Sequence, residues 1–128
     1  MKTASVQNYS MQSKLELKSG EILISPNIAY ETWGNLNADL SNAILITTGL
    51  SPSSHAASNQ YDTQKGWWEK LIGPDKAIDT NKYFVICANS LGSCFGSTGP
   101  SSINPKTNQP YKLLFPKLSI EDIALSLI

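Results

Sequence analysis

Two short apolar runs, each followed by a loop of small residues, constrain this chain more than any other feature. Residues 43–48 (Ala-Ile-Leu-Ile-Thr-Thr) and 83–88 (Tyr-Phe-Val-Ile-Cys-Ala) are bounded by turn-forming residues. Runs of this kind are typical of strands buried on both faces of a parallel sheet. Both lead into Gly- and Ser-rich loops at their C-terminal ends, where open α/β sheets bind ligands. The pattern predicts an α/β domain.

The regions before these runs predict further strands. Apolar and charged residues alternate over 14–18, and residues 21–25 follow the turn signal Ser19-Gly20, so we predict a hairpin. Residues 28–33 are rich in β-forming side chains and predict another strand. Residues 1–13 are polar, and we expect them to be flexible, either frayed or extended.

Two segments predict helical structure. Residues 66–73 predict one or two helical turns. Ser119 is a predicted N-cap, and Asp122 supplies an acid to the first turn of the helix that follows. One face of that helix is apolar, formed by Ile120, Ile123, Ala124, Leu127 and Ile128. Because this face ends in mid-turn with no closing Gly or polar tail, we expect the chain to be truncated.

The charge balance argues against several kinds of partner. The 128 residues carry ten basic side chains, all of them Lys, against ten acidic ones, and the net charge is +0. A nucleic-acid binder needs a basic patch or stripe, and without Arg the chain has no bidentate fork for phosphates. No run approaches the roughly 20 apolar residues of a membrane span, and the N-terminal residues lack the apolar core of a signal peptide. We expect a cytoplasmic protein with neither nucleic-acid nor membrane partners.

Gly92-Ser93-Cys94-Phe95-Gly96 resembles the nucleophile elbow G-x-S-x-G. An elbow joins a strand directly to a helix. Here residues 89–91 separate the motif from the predicted strand, and Pro100 follows closely. The favoured interpretation is a tight glycine loop that holds a buried cysteine.

His55, the single histidine, follows Ser53 and Ser54. No acid stands at a recognisable spacing to orient it, so a loop histidine with local hydrogen bonds is the favoured interpretation. One His and two separated Cys do not make a metal site. A cysteine hydrolase built on Cys94 and His55 remains the alternative enzyme hypothesis inside these residues.

Longer stretches resemble one family closely. These are residues 66–74 (Gly-Trp-Trp-Glu-Lys-Leu-Ile-Gly-Pro), 77–86 and 88–105, the last of which is similar almost residue for residue to the signature loop of the homoserine O-acyltransferases. The resemblance covers essentially the whole chain. It implies the N-terminal part of a single α/β-hydrolase domain over residues 1–128. It also implies transfer of an acyl group from acetyl-CoA or succinyl-CoA to an amino-acid hydroxyl through an acyl-serine intermediate, with no bound cofactor.

The resemblance implies one site element inside the chain. The family's loop after the third strand of the sheet supplies a backbone N–H to the oxyanion hole, and Leu50 aligns with the donor residue. Gly49, Ser51 and Pro52 then border the acceptor pocket, and Thr48 replaces the family's usual His. The catalytic Ser, Asp and His are expected beyond Ile128, so the chain contains no catalytic residue and ends before the elbow.

Two acceptors follow from the resemblance. Homoserine is the family's usual substrate, whereas Gly-Leu-Ser loops resemble branches that acylate serine; the acceptors differ by one methylene. The resemblance also implies small-molecule substrates, a role in methionine or cysteine biosynthesis and a homodimer. A different hypothesis is that the chain is a non-catalytic remnant. In that case residues 43–48 would form an exposed apolar edge, because the strand before the elbow pairs there in the family.

Overall fold

The computed structural model describes residues 5–49 and 51–128. Within them lie ten strands, a short 3-10 helix at Lys112–Leu114 and the helix α1 at Ile120–Leu125. The strands are β1 (Gln7–Ser10), β2 (Lys14–Glu16), β3 (Ile22–Ile24), β4 (Asn27–Trp33), β5 (Ala43–Thr47), β6 (Ile72–Gly73), β7 (Ile78–Asp79), β8 (Phe84–Ala88), β9 (Ile103–Asn104) and β10 (Gln109–Pro110). No helix among the described residues is long and apolar enough to cross a membrane.

The main sheet has the strand order β1-β4-β8-β5. Strand β4 runs antiparallel to β8, and β5 runs parallel to β8, with Ala43 opposite Phe84 and Thr47 opposite Ala88. The carboxyl ends of β5 and β8 therefore lie side by side, as the sequence predicts. Strand β1 shows that part of the segment 1–13 is extended and paired; residues 1–4 lie outside the described residues.

The prediction that residues 43–48 are buried on both faces is wrong. Ile46 is buried, but the alternating Ala43, Leu45 and Thr47 are exposed, and Leu45 is 48% exposed. Helices cover both faces of buried parallel strands, and within the described residues no helix covers this face of β5. Among the strands described, β5 pairs only with β8.

The chain divides into two compact units. The first comprises residues up to Gln7 together with Tyr30–Ala88, and its core is built from Trp33, Ile46, Ala56, Ala57, Ile72, Val85 and Cys87. The second comprises Asn8–Ala29 and Asn89–Ile128. A single domain over residues 1–128 stays a prediction.

The second unit contains the predicted hairpin, in which β2 and β3 pair antiparallel around Gly20 at a φ of 86°. Ser119 caps α1, as the sequence predicts, and its hydroxyl accepts the Asp122 amide hydrogen at 3.1 Å. The predicted apolar helix face, however, is not buried: Ile120 is 82% exposed, and Asp122 is the buried residue of α1. The Asp122 carboxylate accepts the Lys18 amide hydrogen at 2.8 Å, which binds the helix to the hairpin.

The predicted helical turns at residues 66–73 are instead a tight turn followed by β6. Its amides bond to carbonyls three and four residues back, from Leu71 and Ile72 to Trp68 at 2.8 and 3.2 Å. The Trp68 amide donates to the Ala56 carbonyl at 2.7 Å. The turn does not continue as a helix because its backbone forms hydrogen bonds with the preceding segment and then enters the β6–β7 pair.

Gly66 allows this close approach, because a Cβ atom there would collide with the Ala56 and Ala57 backbone. We expect Gly66→Ala to lower the free energy of unfolding by about 1–3 kcal/mol, the usual cost of overpacking. Denaturant unfolding of the protein at its full natural length measures this loss.

The matched control is Gly49→Ala, where an added Cβ meets only the Pro52 Cδ at 3.9 Å. Its stability should stay within about 0.5 kcal/mol of the wild type. Equal losses in both variants would contradict the packing role of Gly66.

Candidate active-site loop

The loop that follows β5 contains the residues for which the family resemblance implies a function. At its start, the Thr48 hydroxyl donates to the Ala88 carbonyl at 3.2 Å, at the carboxyl end of β8. Gly49 and Ser51 are exposed, and Pro52 is half-buried. Leu50 lies outside the described residues, so its expected oxyanion role stays a prediction.

The far end of this loop is held by a tryptophan. The Trp67 indole Nε1–H donates to the Ser53 carbonyl at 2.9 Å, and the Trp67 ring lies 5.0 Å from that of Trp68. Both rings are more than one-third exposed. Trp67 therefore packs beside the loop and also fixes its backbone, and the sequence alone could not distinguish these roles from lining a pocket.

His55 follows directly, and its ring is bound on both sides. Nδ1 lies 3.1 and 3.3 Å from the two carboxylate oxygens of Glu31, and Nε2 lies 2.9 Å from the Gln64 carbonyl oxygen. Asp62 Oδ2 lies 3.9 Å from Nε2. The expectation of purely local hydrogen bonds is therefore wrong, because Glu31 stands 24 residues earlier in the chain.

Glu31 is the partner that sequence reasoning missed. Its side chain is buried in β4, on the same face as Trp33, and its residue exposure is 1%. Oε2 accepts hydrogen bonds from the Ser5 hydroxyl at 2.7 Å and the Asn59 amide at 3.0 Å. A carboxylate at a position of β4 that alternates with apolar residues was the available signal, since acidic side chains are almost never fully buried without partners.

These contacts raise the pKa of His55. Burial by itself lowers the pKa of an imidazole. The hydrogen bonds to the Gln64 carbonyl and to Glu31, with the negative charges of Glu31 and Asp62, outweigh burial and hold the pKa of His55 above its ordinary 6.5. Protonation of His55 is therefore favoured in the folded protein.

A second carboxylate, that of Glu69, joins the two ends of the segment between residues 58 and 69 through hydrogen bonds. Glu69 accepts the Ser58 amide and hydroxyl hydrogens at 2.7 and 2.8 Å and the Gly66 amide hydrogen at 3.1 Å, while the Lys76 ammonium lies 3.7 Å from its Oε1. The hydrogen bonds from Ser58 are the main cause of a lowered pKa of Glu69, and the Gly66 amide and the Lys76 charge lower it further. Partial burial opposes these effects, and the resulting pKa of Glu69 is about 2.

The G-x-C-x-G motif does not form an elbow. Gly92 and Gly96 take φ values of 85° and 104°, and the residues between them form bends and turns with no helix after them. Cys94 is exposed, so the expectation of a buried cysteine is wrong there; Cys87 is the buried one, and burial with the Glu31 charge raises the pKa of its thiol to about 12. Because both ring nitrogens of His55 are engaged, the structure does not support a Cys94–His55 hydrolase.

Within residues 5–49 and 51–128, no three His, Cys, Asp or Glu side chains cluster in a way that could hold a metal ion. The charged groups beside the described part of the loop are His55 and its partner Glu31.

Several known proteins are similar to this chain in sequence. A serine O-succinyltransferase of Xanthomonas euvesicatoria pv. vesicatoria (strain 85-10) is 59% identical over 116 residues, which are 91% of this chain and 29% of that protein. A serine O-succinyltransferase of Stenotrophomonas maltophilia is 58% identical over 120 residues, covering 94% of this chain and 32% of that protein. The chain thus spans about 30% of the length of the curated relatives it matches. No protein-family model matches it.

Solved structures agree on the fold. A homoserine O-acetyltransferase from Bacillus anthracis is 39% identical with a TM-score of 0.85, covering 99% of this chain and 36% of that chain. Esterase E22 is 36% identical with a TM-score of 0.83, covering 95% and 35%. These neighbours confirm the predicted fold class: the strands of this chain are part of an α/β-hydrolase fold.

Glu69 generates a prediction about acid stability. Because its folded pKa is lowered to about 2 from an ordinary 4.5, its charged form stabilises the fold above pH 4.5, and this stabilisation is lost as the pH falls from 4.5 to 2. We expect Glu69→Gln to be less stable than wild type at pH 7, with the difference shrinking across that window. Thermal unfolding at several pH values measures it.

Ser58→Ala supplies the comparison, because it removes one donor to Glu69 and leaves the backbone donors in place. Its deficit should be smaller than that of Glu69→Gln and should shrink over the same pH range. A deficit of Glu69→Gln that stays constant from pH 7 to pH 2 would contradict the assignment.

Proposed function

Because most of this chain is similar to serine O-succinyltransferases and to a homoserine O-acetyltransferase, we propose that the protein is a member of the homoserine O-acyltransferase family and transfers an acyl group from a CoA thioester to the side-chain hydroxyl of a small amino acid. The observation that carries this proposal is the close sequence match to the serine O-succinyltransferases over most of the chain. The relatives are named as acyltransferases, and their names supply the reaction class.

We propose L-serine as the acceptor and succinyl-CoA as the donor. The relatives named serine O-succinyltransferase match this chain at higher identity than the homoserine O-acetyltransferase from Bacillus anthracis does. The Gly49-Leu50-Ser51 pattern of the loop agrees with a serine-acylating branch. Homoserine as acceptor and acetyl-CoA as donor are the alternatives that the assay below distinguishes.

The proposed mechanism uses the loop after β5 as an electrostatic element. The Leu50 backbone N–H donates to the oxygen that becomes negative when the nucleophile attacks the thioester carbonyl, and a donor of this type contributes about 10²–10³ in rate in other enzymes. A backbone donor does not depend on the side chain, so Leu at this position is compatible with the role. Gly49, Ser51 and Pro52 border the acceptor, and their small side chains leave space for it.

The nucleophilic Ser and its His and Asp partners belong, in this proposal, to the part of the relatives' length that this chain does not span. The Ser attacks the thioester carbonyl, the thiol of CoA leaves, and the acyl-serine is then attacked by the acceptor hydroxyl with the His as base. A homodimer in the cytoplasm likewise stays a prediction for the whole protein.

The decisive experiment measures release of the CoA thiol by the protein at its full natural length. Each donor, succinyl-CoA or acetyl-CoA, is combined with each acceptor, L-serine or L-homoserine. We expect kcat/KM with succinyl-CoA and serine to exceed that with homoserine by about 10-fold or more, since one methylene is worth about 1–3 kcal/mol in a pocket. A higher value with homoserine would overturn the acceptor, and no release with any pair would overturn the reaction class.

Ser51→Ala tests the loop directly, with Thr107→Ala, an exposed residue of the β9–β10 turn, as the matched control. We expect the first variant to change the KM for serine and to leave that for the acyl-CoA unchanged. The control should change neither value. Equal behaviour of the two variants would remove Ser51 from the acceptor pocket.

A further inference from the structure

We infer that His55 is a positioning residue whose protonated ring, held between the Glu31 carboxylate and the Gln64 carbonyl, fixes residues 51–53 of the loop after β5. The inference rests on the proposed function, which places this loop at the acceptor and the oxyanion. It adds a residue that acts on the reaction through the loop, without touching substrate. It also makes the geometry of the loop depend on pH.

The hydrogen-bond partners require a proton on each ring nitrogen. A backbone carbonyl oxygen only accepts, so Nε2 of His55 carries the hydrogen in its 2.9 Å contact with Gln64. On the other side, Glu31 already accepts from the Ser5 hydroxyl and the Asn59 amide. A carboxylate with these donors is itself an acceptor toward Nδ1, so Nδ1 carries a hydrogen too. A ring with both nitrogens protonated is an imidazolium.

The backbone of His55 is bound to Ser53, which Trp67 also holds. The His55 amide donates to the Ser53 hydroxyl at 3.2 Å, and the Ser53 carbonyl accepts from Trp67 at 2.9 Å. At the other end of the loop, the Thr48 hydroxyl is bound to the Ala88 carbonyl. Thr48 and Ser53 are thus each held by hydrogen bonds, and His55 supplies a charged bond two residues after Ser53.

The bonds of the His55 ring to Glu31 and to the Gln64 carbonyl form a clamp. Glu31 makes this clamp rigid because it lies on β4, an interior strand of the main sheet. Its neighbour on the same face, Trp33, donates its indole hydrogen to the Ser58 carbonyl at 3.0 Å. Two residues of one strand therefore hold the segment that contains His55. A displacement of about 1 Å at a positioned group can cost about 100-fold in rate, so this rigidity matters to a loop with a backbone donor.

The charged groups that face His55 define the direction of the pH dependence. Glu31 faces it from β4 and Asp62 from the segment 59–66, and both favour the protonated ring. Cys87, opposite Glu31 on the neighbouring strand β8, is a neutral thiol. Since the folded pKa lies above the ordinary 6.5, the clamp is fully present below pH 6.5 and is lost as the pH rises through the folded pKa. A general-base His produces the opposite dependence, because it gains activity as it loses its proton.

The test uses the protein at its full natural length and two variants. His55→Gln keeps hydrogen-bonding capacity but cannot carry the charge, and Glu31→Gln keeps the shape of the partner but removes its charge. Glu16→Gln, the same change at an exposed carboxylate of β2, is the matched control. Nuclear magnetic resonance follows the His55 ring, assigned by the signal that His55→Gln removes.

We expect the His55 ring to titrate above pH 6.5 in the wild type and in Glu16→Gln, and at lower pH in Glu31→Gln. We also expect amide hydrogen exchange over residues 51–54 to quicken about 10-fold in His55→Gln, the effect of losing one charge-assisted bond. Titration of the ring at or below pH 6.5 in the wild type, or unchanged exchange in His55→Gln, would overturn the clamp. Both readouts are independent of activity, so they decide the clamp even if the proposed function fails.

The catalytic readout then separates positioning from mere support of the fold. In His55→Gln we expect kcat to fall about 10- to 100-fold at pH 6.5 with the KM for the acyl-CoA unchanged. The decline of wild-type activity at high pH should disappear in His55→Gln and move to lower pH in Glu31→Gln. A parallel pH profile in wild type and His55→Gln would overturn the positioning role, even where Glu31→Gln shifts the titration.

Discussion

The buried carboxylate of Glu31 is the interaction on which the first unit depends. A charge removed from water is tolerated only when hydrogen bonds and an opposite charge replace its hydration. Glu31 obtains these from Ser5, His55 and Asn59, each of which lies more than 20 residues from it in the chain. Removal of any one donor leaves the carboxylate less satisfied, so this single group binds the segment after β5 to the face of β4.

The connection between β5 and β8 shows why such bonds are needed. Parallel strands are usually joined by a crossover that contains a helix, whose backbone groups bond to one another. Here the connection is made of turns and the two-residue strands β6 and β7, which leave backbone donors without regular partners. Buried backbone groups are almost always paired, and Glu69 accepts two such amide hydrogens. In this segment, carboxylates thus accept the backbone amide hydrogens that the carbonyl groups of a helix would otherwise accept.

The sequence predicted the elements whose signal is local. The hairpin around Gly20, strands β4, β5 and β8, and the Ser119 cap each follow from side-chain alternation or from residues within one turn of each other. Burial was predicted less well, because exposure of Leu45 and Ile120 depends on what covers them, which a local pattern does not contain. The pairing of His55 with Glu31 was missed for the same reason. The two residues are 24 positions apart and are brought together only by the fold, and no sequence motif has this spacing.

Contacts made through the fold constrain the identity of some residues, whereas other residues are free to determine specificity. A Cβ atom at Gly66 would collide with backbone atoms, and the Trp33 indole donates a hydrogen bond to the Ser58 carbonyl. Gly49 and Ser51 are exposed, and even a Cβ at Gly49 would meet only ordinary contacts. Substitutions at these two positions therefore cost the fold little. If the proposed acceptor role holds, substitutions at Gly49 and Ser51 can alter the acceptor without altering the strands, in keeping with one fold serving several chemistries.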